Sequence, residues 1–207
     1  AIDQFVLKGG KLLVFIDPNS ETENFSPNTN QSQEESDNSS NLKELLDNWG
    51  VELVENKVVG DLLSARRVQI GESDQPSVTD YIAWLDIKKD HMDDTHQATS
   101  KVQRLTFATS GFLRNNEKNS NINYKRLVWS TTQSMQIDVN DVKFTPDPTN
   151  LLRNFVPSNE ELTLVAEING SFTSNYPDGP PDLNRRDDYF DKNKHINESI
   201  KPSTLVV

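Results

Sequence analysis

Residues 4–17, QFVLKGGKLLVFID, constrain the fold of this chain more than any other stretch. Phe5, Val6 and Leu7 read as the apolar end of a helix, Gly9-Gly10 as its left-handed stop, and Leu12 to Ile16 as an unbroken apolar strand closed by Asp17-Pro18. A strand that is apolar at every position reads as buried on both faces, the mark of a parallel sheet covered by helices. The expectation is an α/β fold, entered mid-architecture, with a mostly parallel central sheet flanked by helices and long polar loops.

The next stretch is polar. Residues 18–41 are dominated by Asn, Ser, Glu and Gln, with Phe25 as the only large apolar side chain, and carry five acids (Glu21, Glu23, Glu34, Glu35, Asp37) and no base. So little apolar surface cannot offset the entropy of ordering, so 18–41 is expected to be a mobile acidic insertion at the C-terminal end of the first strand. Open α/β sheets bind ligands at that end of their strands.

Beyond it, Ser39, Ser40 and Asn41 offer an N-cap to a helix with Leu42, Leu45, Leu46 and Trp49 on one face and Gly50 as its stop, leading into a short strand over Val51 to Val54. Strand, loop, helix, strand predicts a right-handed parallel crossover. Further strands are expected over 67–70, 81–87, 105–108, 124–131 and 162–168. A turn is expected over 71–76, a break at Thr109-Ser110-Gly111, and short helices from Asp93 and over 147–155. The two wholly apolar runs, Leu12 to Ile16 and Leu205 to Val207, are expected to share one sheet.

Composition narrows the function by exclusion. A formal net charge of -11 over 207 residues repels phosphate backbones and anionic lipid, which removes nucleic acid from the partner classes. The chain has no cysteine, so thiol nucleophiles, disulfides, thiolate zinc sites and Cys-ligated iron–sulfur clusters are all excluded. No run of about 18 apolar residues is present. A start inside a helix and an end inside an apolar run lead to the expectation of one domain, 1–207, excised from a longer membrane-anchored protein.

The candidate chemical motifs are weak. His91 and His96 bracket Asp93 and Asp94 in HMDDTH, but a spacing of five splays two helical ligands apart, so the cluster reads as a helix start capped by Asp93 or Asp94. His195 lies alone in a polar tail. Thr109-Ser110-Gly111 follows a strand, yet no histidine is placed by sequence to activate Ser110, and it reads as a turn. Neither a G-x-G-x-x-G nor a Walker pattern occurs. Trp49, Trp84 and Trp129 sit in apolar elements and read as core. Arg66-Arg67 and Arg185-Arg186 read as surface charge, and sequons at Asn24, Asn38, Asn169 and Asn197 add little in a chain so rich in Asn and Ser. No catalytic, cofactor-binding or metal-ligating residue is assigned.

In order along the chain, AIDQFVLKGGKLLVFIDP, LKELLDNWGVEL, DLLSARRV, TFATSGFL and LTLVAEINGSF before a terminal LVV resemble the gliding-motility-type auxiliary component of bacterial ABC transport systems. The long acidic stretch after Asp17 departs from that family's tighter pattern. The resemblance implies a fold like the flavodoxin-like and class I glutamine amidotransferase-like domains. Glutaminase activity is excluded because its cysteine nucleophile is absent. It further implies a non-catalytic interaction domain without a cofactor, anchored at the inner membrane of a bacterial envelope and facing the periplasm. Membrane-embedded transporter subunits are its implied partners. The alternatives are a module that binds carbohydrate or envelope polymer through Trp, Tyr and carboxylates, and an acidic hydrolase with paired carboxylates. Buried tryptophans would favour the scaffold, and an exposed pair in a cleft the sugar.

Overall fold

A computed structural model describes residues 1–21, 39–71, 76–143, 146–179 and 195–207. The opening segment folds as its residues dictate: α1 (Ile2–Leu7) buries Val6 and Leu7, and Gly9 takes φ +82° to turn the chain into β1 (Lys11–Leu13). Then α2 (Lys43–Asn48) ends at Gly50, φ +93°, and hands over to β2 (Val51–Leu53). Seven more strands follow before the last helices are complete: β3 (Lys57–Asp61), β4 (Ala65–Ile70), β5 (Ser77–Lys88), β6 (Arg104–Ala108), β7 (Leu113–Asn115), β8 (Ile122–Trp129) and β9 (Ser134–Asp138). The chain closes with α3 (Asn140–Lys143), α4 (Pro148–Arg153), β10 (Thr163–Gly170) and β11 (Ser203–Val206).

The expected α/β fold with a mostly parallel, flavodoxin-like sheet is overturned. Among the described residues strand outweighs helix, 40% against 15%, and the strands form three sheets. The largest runs β1-β11-β10-β7-β2 with β8 also on β10, and the smaller two are β3-β9 and β4-β5-β6. Only β1 with β11 pairs in parallel among these strands. The predicted parallel crossover from β1 to β2 is therefore absent, the two strands lying at opposite ends of the sheet order. The expected helix from Asp93 is also replaced, by turns following a short 3-10 segment over Lys89–His91.

One long-range expectation holds: β1 and β11 are neighbours, with Leu12 opposite Leu205. The acidic insertion reaches outside the described residues over 22–38, and so do 72–75 of the expected turn. At the insertion's base Asp17 and Ser40 pair backbone to backbone, Asp17 N–H to Ser40 O at 2.9 Å and Ser40 N–H to Asp17 O at 2.8 Å.

Helices α1 and α2 cover one face of the large sheet, where Val6, Leu7, Leu46 and Trp49 meet Val14, Ala166, Ile168, Leu205 and Val207. The opposite face meets the β4-β5-β6 sheet through Leu85, Ile87, Leu127, Leu162 and Leu164. Along β10 the residues 162, 164, 166 and 168 share one parity, yet the first two enter the second cluster and the last two the first. A register shift between Val165 and Ala166 in the pairing with β8 accounts for the switch, since a bulge resets which face the following side chains take. A third cluster, including Val58, Ile82, Ile137 and Leu151, fixes β3-β9 and α4 against β5.

Candidate functional site

β1 ends the large sheet and β6 ends the β4-β5-β6 sheet. Between them lies a cleft of ≈ 460 Å³. Its apolar lining includes Leu13, Val165 and Val206 from the large sheet, Phe15 just past β1, and Phe107 from β6. Alternation explains this surface: Leu12, Val14 and Ile16 pack toward α1 and α2, so Leu13 and Phe15 must point the other way, where β6 leaves them 63% and 85% exposed. The run read as buried on both faces is buried on one.

The polar end of the cleft is built by Asp17, Ser20, Glu21 and Ser110, and no basic side chain among the described residues lines it. Asp17 accepts one hydrogen bond from the Asn19 N–H at 3.0 Å. Burial pushes the Asp17 carboxyl up to about 6, the Asn19 N–H offsets part of that, and the charge of Glu21 adds to it. Glu21 is held by β5, where Trp84 Nε1–H donates to its Oε1 at 3.0 Å from outside the cleft lining, and Trp84 itself packs on Tyr81 with ring centroids 5.5 Å apart. Burial and the same Glu21 charge raise the Tyr81 hydroxyl above its ordinary range.

A rigid turn supports this end. Thr109 is fully buried at φ +46°, an unfavourable conformation for a β-branched residue, and its N–H donates to Ala83 O at 3.0 Å. The Ser110 carbonyl accepts from Val59 N–H at 2.8 Å, so the turn ties two sheets together. Asn19 Nδ2 donates to Thr109 Oγ1 at 3.3 Å, linking the turn to the residue two past Asp17. Gly111 admits the close approach, because a Cβ there would stand 2.8 Å from Pro18 Cδ. Ser110 lines the cleft, but its Oγ donates to the Gly111 carbonyl at 3.0 Å and no histidine contacts it among the described residues.

A second cavity, ≈ 290 Å³, lies between α2 and α3 and is lined in part by Leu42, Lys43, Glu55 and Asn140. There Lys43 and Glu55 neutralise one another as an ion pair. The charges of the β1 cleft have no such counterpart in its lining, which makes it the stronger site.

The sequence candidates scatter. His96 leaves His91 and pairs through Nε2 with Glu167 of β10 at 2.9 Å. Asp93 starts no helix but closes a turn, its Oδ1 accepting from Thr95 N–H at 2.8 Å and His96 N–H at 3.0 Å, and the Lys125 ammonium 2.6 Å away holds its carboxyl well below the usual range. No group of three metal-binding side chains occurs among the described residues. His195 meets the Tyr176 carbonyl at 2.8 Å. Trp49 is core, stacked at 5.6 Å on Phe172, and Trp129 is half-buried beneath Arg126. Of the basic pairs, Arg67 faces Asp80 at 3.5 Å, and Arg185-Arg186 lies outside the described residues. Asn169 donates to Thr204 and Asn197 to the Pro177 carbonyl, while Asn24 and Asn38 lie outside the described residues.

Residues 1–207 match the family described as "ABC-type uncharacterized transport system", an auxiliary-component family. The chain belongs to this family of ABC transport auxiliary components. No curated protein and no solved structure matches it. Membership associates the chain with an ABC transport system and with the cell envelope. No helix among the described residues is long and apolar enough to cross a membrane. The described residues of this auxiliary component form a β-rich scaffold with an acidic, apolar-floored cleft at the end of β1. Sequence reasoning passed over that cleft because Glu21 and Trp84 meet across 63 positions, and the one legible signal was the acid that closes the first strand.

Proposed function

We propose that this chain is a non-catalytic interaction domain of an ABC transport auxiliary subunit of the gliding-motility type. It forms one domain of a longer, inner-membrane-anchored protein, faces the periplasm, and engages the membrane-embedded transporter subunits. The observation that carries this reading is the exposed pair Leu13, at the end of β1, and Phe15, two residues on, since an apolar face left uncovered by the described residues is the physical form of an interaction surface. Family membership over the whole chain supplies the transport context. The polysaccharide reading gains nothing from the tryptophans, because none of the three lines the cleft.

The test uses the missing cysteines. A Gln97→Cys variant of the full-length protein places one thiol at an exposed position. In intact cells a membrane-impermeant maleimide should label it, relative to the parent protein, and the subunit should co-purify from mild detergent with the transporter's membrane subunits. Labelling only after lysis, or loss of co-purification, refutes the proposal.

A further inference from the structure

We propose that the cleft between β1 and β6 receives an extended segment of a partner protein, apolar along its length and carrying one lysine or arginine that seats at the Asp17–Glu21 end. This rests on the reading of the chain as an interaction domain and names what the domain holds.

Three independent features converge on that occupant. The floor is apolar and, among the described residues, uncovered, with Leu13 and Phe15 flanked by Val165 and Val206, so an occupant gains by burying apolar side chains there. The walls are both end strands: β1 pairs only with β11, and β6 only with β5, among the described strands. Each therefore offers a row of backbone donors and acceptors that an extended chain can meet by strand addition, and that a free amphiphilic amine would leave unused. The polar end holds two carboxylates and, among the described residues, no base, and burial already disfavours the charge on Asp17, so a cation delivered there meets a group that its presence relieves. The side chains of Asp17 and Glu21 have no ion-pair partner among the described residues, whereas the other acids lining a cavity do, as Glu55 does with Lys43.

Complementarity also sets the polarity of the occupant. An acidic segment would place like charges beside Asp17 and Glu21, and a purely apolar one would leave both without a partner. Nucleic acid is opposed by the same charges and by the net charge of -11.

The experiment titrates the 207-residue chain with acetyl-Val-Phe-Val-Lys-Val-amide and with two analogues in which the lysine is norleucine or glutamate, followed by calorimetry and by amide chemical shifts. The lysine peptide should bind at least tenfold more tightly than either analogue and shift the signals of 13–21 and 106–110. Asp17→Asn combined with Glu21→Gln should erase the difference among the three peptides, and Phe15→Ser should weaken all of them. Equal binding by all three, shifts confined elsewhere, or no binding at millimolar peptide overturns the proposal, and so does binding of octylammonium chloride at these residues without any peptide binding. In full-length protein, co-purification with the transporter that survives loss of peptide binding overturns the cleft assignment and leaves the interaction-domain reading standing. Absence of transporter association in the unaltered protein defeats that broader reading instead.

Discussion

Asp61 and Asp17 both follow an apolar strand, and the protein treats them in opposite ways. Asp61, at the end of β3, is fully buried and accepts four hydrogen bonds: from the N–H groups of Leu63 at 2.9 Å, Ser64 at 3.0 Å and Thr131 at 2.5 Å, and from Thr131 Oγ1 at 3.0 Å. Asp17, beyond β1, accepts one from Asn19 among the described residues and shares its surroundings with Glu21. The first carboxylate is spent on structure, its lone pairs consumed in joining the β3–β4 turn to the segment before β9. The second is left underserved at the polar end of a cleft, and an underserved acid is where a ligand has something to add.

The largest expected effect breaks the Asp61 side of the comparison. Asp61→Ala strands three backbone donors and a hydroxyl in the interior and should cost about 4 kcal/mol in a urea titration. A loss below about 1 kcal/mol would mean that these hydrogen bonds do not hold the turn. A similar contrast runs across the large sheet, where Leu205 is wholly buried and Phe15 is exposed. Leu205→Ala should cost about 3 kcal/mol by the same titration, since it removes buried methyl groups and leaves a cavity.

Asp17→Asn should act with the other sign. The native carboxyl titrates near 6 against an ordinary 3.8, so between those values the native state binds more protons than the unfolded state, and stability falls as pH rises through that window. The asparagine variant does not titrate there. At pH 7 it should be more stable than the parent by about 1 kcal/mol once partial exposure discounts the full shift, and the gain should vanish by about pH 4. Differential unfolding at the two pH values reads both. The smallest effect belongs to Phe15→Ser, which should stay within about 0.5 kcal/mol of the parent by thermal unfolding because the ring makes little of the core. A loss above about 2 kcal/mol would place Phe15 in structure and remove it from the binding surface.

Much of the local structure was legible. Gly9 and Gly50 stop their helices, the strands over 65–70, 104–108, 122–129 and 163–170 follow β-rich runs, and the β1–β11 pairing follows from two short apolar runs. The architecture was not legible, and β1 shows why. Apolar residues at 13 and 15 were taken for a second buried face, but the sheet leaves them open, so the pattern that mimics a covered parallel strand belongs to an end strand. β3 and β9 are not legible locally because Gly60 interrupts one and Ser134-Met135-Gln136 gives the other little apolar alternation, and what stabilises them, their mutual pairing and the packing of Val58 and Ile137 against β5, comes from distant segments. Asp17 was visible only as punctuation. Its partners, Glu21 held by Trp84 and the Thr109 turn tied to Asn19, are assembled by contacts between distant segments that no local pattern encodes.

The account turns on Asp17 being a half-buried, underserved acid that awaits a cation. A carboxyl-carbon NMR titration of the free chain, with Asp17 assigned by comparison with Asp17→Asn, measures this directly. The midpoint should lie near pH 6 and move down when the lysine peptide is bound. A midpoint in the ordinary carboxylate range near 4, unchanged by the peptide, would contradict it.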